Sequence, residues 1–237
     1  MLRLLAIMLF LLGLSLGSDA KVYLVSVGIA DYPGEEDDLT LPVNDAKTIA
    51  WLYGKNSDVE CKLLTNSQAT CSNITAAMEN LFGKASKDDI VVLFFSGHGY
   101  QGGFVAYDNL LSYKLIRKAM AQSKSANKII FADACFSGKI RTKDKEDESE
   151  VRKANVMLFL SSRSSEKSIE RKSMKNGFFT TYLQKGLRGG ADINRDRTIT
   201  AKELYTYVHE GVIKISKGKQ HPVMWGNFPD TMPVIKW

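Results

Sequence analysis

Five short runs of apolar, largely β-branched and aromatic residues recur along the chain: VYLVSVGIA (Val22 to Ala30), CKLLT (Cys61 to Thr65), IVVLFFS (Ile90 to Ser96), KIIFADA (Lys128 to Ala134) and VMLFLSS (Val156 to Ser162). Near-continuous apolar runs of this length read as strands buried on both faces. Between them, apolar residues return at helical spacing: Ala46, Ile49, Ala50 and Tyr53, then Ile74, Ala77, Met78, Leu81 and Phe82, then Leu115, Ile116, Ala119 and Met120. Strands that alternate with amphipathic helices predict an α/β fold, a mostly parallel central sheet with helices on both faces. In open sheets of this kind ligands sit outside the carboxyl ends of the strands.

At 237 residues, 44% hydrophobic and 24% charged, the chain fits one globular domain with a substantial core. Its first twenty residues, MLRLLAIMLFLLGLSLGSDA, run from Arg3 through an apolar stretch at Leu4 to Leu16 into small residues. That pattern predicts a signal peptide over 1–20, cut after Ala20, and an exported mature chain over 21–237, periplasmic or secreted. A membrane anchor needs about 20 continuous apolar residues, and no later segment has them.

The net charge of +6 invites a nucleic-acid partner, but the densest charge run, KIRTKDKEDESEVRK at Lys139 to Lys153, interleaves both signs. A solvated loop does that and a phosphate-binding stripe does not, so no nucleic acid is expected. Three cysteines remain in the mature chain; Cys61 and Cys71 flank a short polar loop and could pair, which leaves Cys135 alone.

The residues that follow two of the strands carry chemistry. Ser96-Gly97-His98-Gly99 follows the third run and Asp133-Ala134-Cys135 ends the fourth, so an imidazole and a thiol both fall at strand carboxyl ends. A thiolate is the reactive form of cysteine and needs a nearby base; histidine supplies one and can later protonate a leaving amine. Glycines beside both residues allow a substrate backbone to come close and free N–H groups for an oxyanion.

Together, VVLFFSGHG and KIIFADACFSG resemble the caspase-fold cysteine peptidases, specifically the metacaspase and bacterial orthocaspase branch. GIADY near Gly28, PVNDA at Pro42 to Ala46, VMLFLSSR at Val156 and GFFTTYLQKGLRGGAD at Gly177 are also similar to that family, so the resemblance spans nearly the whole mature chain. It implies a caspase-like three-layer sandwich and a cysteine endopeptidase, with His98 and Cys135 catalytic and Gly99 and Cys135 offering oxyanion N–H groups. It further implies a large part over about 21–138, a charged linker over 139–153 and a small part over 154–237.

Animal caspases carry Gln-Ala-Cys where this chain has Asp-Ala-Cys. Residues two apart on a strand share a face, which puts Asp133 with Cys135 and Ser96 with His98. A carboxylate beside the nucleophile repels acidic side chains and pairs with basic ones. By the resemblance to metacaspases, Asp45, Ser96 and Asp133 form an acidic pocket for arginine or lysine before the scissile bond, and the expected partners are protein or peptide substrates with that residue. Asp45 has a plainer reading as a first-turn helix carboxylate. The linker offers Lys139, Arg141, Lys143, Lys145, Arg152 and Lys153 as self-cleavage sites or is a simple exposed loop.

The chemistry requires no cofactor, but a second signature lies near the carboxyl terminus. Asp192, Asn194, Asp196, Thr198, Thr200 and Glu203 fall at the spacing of an EF-hand calcium loop. Arg197 occupies the sixth position, where glycine is the rule. The same residues are also those that start the helix ITAKELYTYVHEGV without metal. His209 and His221 have no acidic or thiol neighbours at metal spacing, and Asn73-Ile74-Thr75 fits a glycan acceptor. The tail HPVMWGNFPDTMPVIKW, with three prolines, is expected to pack on the domain as irregular or edge structure. The competing class is a caspase-fold binding or scaffold module without turnover.

Overall fold

A computed structural model describes residues 20–100, 102–134, 156–162 and 174–236. All five apolar runs form strands: β1 (Val22–Gly28), β2 (Val59–Thr65), β3 (Ile90–Gly97), β7 (Asn127–Ala134) and β8 (Val156–Leu160). A small three-stranded sheet, β4 (Gly99–Tyr100), β5 (Gly103–Val105) and β6 (Leu110–Ser112), leaves β3 directly after its carboxyl end. The helices are α1 (Pro42–Tyr53), α2 (Cys71–Phe82), α3 (Tyr113–Gln122), α4 (Phe178–Lys185) and α5 (Ala201–Ser216). Strands β9 (Thr198–Thr200), β10 (Val223–Trp225) and β11 (Pro233–Lys236) complete the fold.

The central sheet runs β10-β8-β7-β3-β1-β2, with every pair parallel except β10 against β8. Every residue of β1, β3 and β8 is buried, as apolar strands covered on both sides must be. The alternation of side chains splits the core in two. Tyr23, Val25, Leu93, Phe95 and Ile130 pack with α2 and α3 on one face, and Leu24, Phe94, Ile129, Phe131 and Phe159 pack with α1, α4 and α5 on the other. The fold is therefore the three-layer α/β sandwich expected.

Some expectations need adjustment. Leu115, counted on the apolar stripe of α3, is exposed, because the buried face is made by Tyr113, Ile116, Ala119 and Met120. Cys61 and Cys71 are both free thiols. Cys61 is exposed on the edge strand β2, whereas Cys71 opens α2 with its thiol 3.5 Å from the Asn109 carbonyl. The tail supplies β10, which caps the sheet at β8, and β11, which pairs with β9.

Phe159 anchors the second core layer, meeting Phe179 edge-on with ring centroids 5.0 Å apart and Tyr205 at 5.7 Å. Replacing it by alanine removes a fully buried ring from the join between β8, α4 and α5. Phe159→Ala is expected to cost about 3–5 kcal/mol of stability, measured by chemical denaturation; a loss below about 1 kcal/mol contradicts this packing.

Candidate active site

The site is built where parallel register brings the two motif-bearing strands level. Ser96 of β3 and Asp133 of β7 are Cα partners, and so are Gly97 and Ala134, the residues immediately before His98 and Cys135. Cys135 and the linker 139–153 lie outside the described residues. Side chains of paired residues on parallel strands share a face, so Ser96 and Asp133 both project into the layer of α1 and α4.

Asp45 meets them from the first turn of α1. It makes no cap for its own helix. Its Oδ2 accepts a hydrogen bond from Ser96 Oγ at 2.9 Å, and its Oδ1 accepts from Asn176 Nδ2 at 2.8 Å and from the Gly177 backbone N–H at 3.1 Å. Asp133 Oδ2 accepts from the Thr180 backbone N–H at 3.2 Å and from Thr180 Oγ1 at 2.9 Å, so it caps the positive end of α4 from a distant strand. The expected cluster of Asp45, Ser96 and Asp133 is thus assembled. Sequence spacing gave no sign of its other half, Asn176, Gly177 and Thr180.

The two carboxylates are enclosed, Asp45 being 2% and Asp133 6% exposed. Burial, then the neighbouring Asp133 charge, hold the Asp45 carboxyl well above the usual carboxylate range, against the opposing pull of the Asn176, Ser96 and Gly177 hydrogen bonds. Gly177 is where this crowding shows. A Cβ there would stand 2.6 Å from Asp133 Oδ2 and 3.5 Å from Asp45 Oδ2, inside the space the acids share.

His98 is held by the loop between β1 and α1. Its Nε2 lies 2.7 Å from the carbonyl of Asp37, in the short 3-10 turn Glu35–Asp37. A carbonyl only accepts, so Nε2 carries a proton, and in the neutral ring the lone pair is then on Nδ1. Its backbone N–H donates to Tyr32 Oη at 2.9 Å, and its carbonyl accepts from the Val105 N–H of β5 at 2.9 Å. Tyr32 belongs to the GIADY stretch and Gly177 to GFFTT; the fold explains why those segments matter to the site.

A third group backs the strand ends. Ser161, after β8, donates its Oγ to the Ala134 carbonyl at 3.3 Å, and fully buried Gln220 donates Nε2 to the Ser161 carbonyl at 2.9 Å. Gly99, predicted for the oxyanion site, opens β4 opposite Phe104.

The residues predicted for calcium form a tight loop. Arg197 adopts φ +65°, the left-handed conformation its position demands, and its N–H donates to Asp192 Oδ2 at 3.1 Å. Asn194 Oδ1 accepts from the Asp196 N–H, and Asp196 Oδ1 from the Thr198 N–H. Glu203 Oε2 accepts from the Thr200 N–H and Oγ1 in a capping box that starts α5. Among the described residues no group of three or more His, Cys, Asp or Glu is arranged to hold a metal ion. Thr200→Ala is expected to lower stability by about 1 kcal/mol with or without millimolar calcium, read from melting curves; an effect seen only with calcium contradicts the capping role.

Comparison with known proteins places this arrangement. A crystal structure of the protein GSU0716 from Geobacter sulfurreducens superposes with a TM-score of 0.65 at 16% identity, over 88% of this chain and 94% of that one. The crystal structure of caspase-1 from Spodoptera frugiperda gives a TM-score of 0.65 at 13% identity, over 88% and 87%. These likenesses establish the fold. No curated protein sequence matches the chain. The family model of the caspase domain matches residues 22–232, from the start of β1 to the turn before β11, and the chain therefore belongs to the caspase-domain family of cysteine peptidases.

Proposed function

We propose that the protein is an exported cysteine endopeptidase that cuts after arginine or lysine, with Cys135 as nucleophile and His98 as general base and acid. The observation that carries the specificity is the enclosed pair Asp45 and Asp133 at the carboxyl end of the sheet, gathered with Ser96 around Gly177. Two carboxylates enclosed at low dielectric reward a guanidinium or ammonium group and reject an acidic one.

The chemistry follows from the tautomer of His98. With Nε2–H donating to the Asp37 carbonyl, Nδ1 takes the Cys135 thiol proton as the sulfur attacks the scissile carbonyl. The N–H groups of Gly99 and Cys135 stabilise the oxyanion. Nδ1–H then passes its proton to the leaving amine as the C–N bond breaks. Water, deprotonated at Nδ1, hydrolyses the thioester and returns the thiol. No metal takes part in these steps.

Fluorogenic peptides ending in Arg, Lys, Asp or Ala test the reading, with Cys135→Ala as control. Turnover after Arg or Lys that is lost in the control is expected, and turnover after Asp overturns the roles of Asp45 and Asp133. The enclosure of both acids favours a second reading, a latent or binding-only caspase-fold module, for which the same panel shows no turnover in either protein. Self-cleavage at the basic residues of 139–153 belongs to the first reading. Equal cutting of wild type and Cys135→Ala, each expressed alone, eliminates it.

The raised Asp45 carboxyl has a pH signature. Native protein holds a proton there that the unfolded chain releases, so wild-type stability is lost as pH rises from the ordinary carboxylate range through the folded-state value. Asp45→Asn lacks that titration. The melting temperature of wild type minus variant is expected to fall with rising pH, and parallel curves would show that the carboxyl is not raised. A small guanidinium ligand in the pocket should bind wild type more tightly as pH rises, because deprotonated Asp45 is the form that pairs with it.

A further inference from the structure

Tyr32 ends the GIADY stretch and is nearly buried, at 6% exposed, in the layer of α2 and α3. A core tyrosine needs only one partner for its hydroxyl, yet this one has two at once. Its Oη accepts from the backbone N–H of His98 at 2.9 Å and donates to the Val105 carbonyl at 3.2 Å. Its ring lies beside the imidazole, with centroids 4.9 Å apart at 44°. Gly97 has yielded its side-chain space to the hydroxyl, since a Cβ at 97 would stand 2.6 Å from Tyr32 Oη.

The same loop delivers the second hold on the histidine. The Tyr32 backbone N–H donates to Asp38 Oδ1 at 3.0 Å, which ties the residue to the turn whose Asp37 carbonyl meets Nε2. Main chain, ring face and ring nitrogen of His98 are therefore all set from residues 32 to 38.

The geometry points to Tyr32 as a positioning residue for His98: through its hydroxyl and its ring it fixes where the imidazole presents Nδ1. This rests on the peptidase reading above for its catalytic consequence, but the geometric part stands apart from turnover. Freed of the hydroxyl, the His98 peptide loses its partner and the ring gains freedom at the point where an ångström of misplacement is costly.

The test uses the mature full-length chain, Tyr32→Phe and Tyr32→Leu. Active sites are first counted with a peptidyl-arginine chloromethylketone, so that misfolded molecules drop out. Tyr32→Phe is expected to lower kcat per titrated site about tenfold with KM within about twofold, and Tyr32→Leu, which also removes the ring, to lower it further. A residue that merely supports the core would reduce the number of titrated sites and leave kcat per site unchanged. Nitrogen-15 NMR of the histidines, of which the chain has 3, supplies a readout without turnover. Wild-type His98 should be the Nε2–H tautomer with a slowly exchanging amide, and the exchange should quicken at least tenfold in Tyr32→Phe. If peptides are not turned over, the peptidase reading fails and the NMR result alone decides Tyr32. An unprotected His98 amide in wild type, or unchanged exchange and kcat per site in Tyr32→Phe, overturns the proposal.

Discussion

The pairing of β3 with β7 is the constraint on which the rest depends. Their register, Ile90 with Asn127 through Gly97 with Ala134, sets the SGHG and DAC motifs level at one end of the sheet. Parallel strands cannot be joined by a tight turn, so α3 must cross over between them, and that crossover buries the strands from the second face. A slip of β7 by one residue would turn Asp133 out of the α1 and α4 layer that holds Ser96 and put Phe131 against the wrong helices. Hydrophobic packing on both faces thus enforces the alignment of the polar groups.

The polar cluster in turn shows how buried charge is tolerated. Asp45 and Asp133 each end on donors supplied by a distant segment, and Asp133 also sits at the positive end of α4. Two carboxylates so close cannot both be charged cheaply, and the raised Asp45 carboxyl expresses that conflict. The donors from Asn176, Gly177 and Ser96 pull the other way.

Much of this was readable in the chain because it is local. Strands with continuous apolar runs, helices with a 3.6-residue stripe and the motifs at strand ends all follow from neighbouring residues. What could not be read was set by long-range contact: Asn176 on Asp45, Thr180 on Asp133 and Tyr32 on His98 join positions 131, 47 and 66 residues apart. Leu115 illustrates the limit at short range, since its neighbours Tyr113 and Ile116 define a buried face slightly rotated from the one spacing suggested. The calcium-like spacing shows a similar ambiguity, because the oxygens that would ligate an ion are those that cap a helix and close an Asx turn.

Apart from the Ser96–Asp45 bond, the hydrogen bonds that assemble the acidic cluster run between chain segments on opposite sides of residues 135–155. Asp45, Ser96 and Asp133 come before that stretch, and Asn176, Gly177 and Thr180 after it. Strand β8 is gripped by β7 from Lys128 to Ala132 on one edge and by β10 on the other. The two segments are therefore complementary, one holding both buried acids and the other supplying donors to each. Severing the backbone between them would delete none of these bonds.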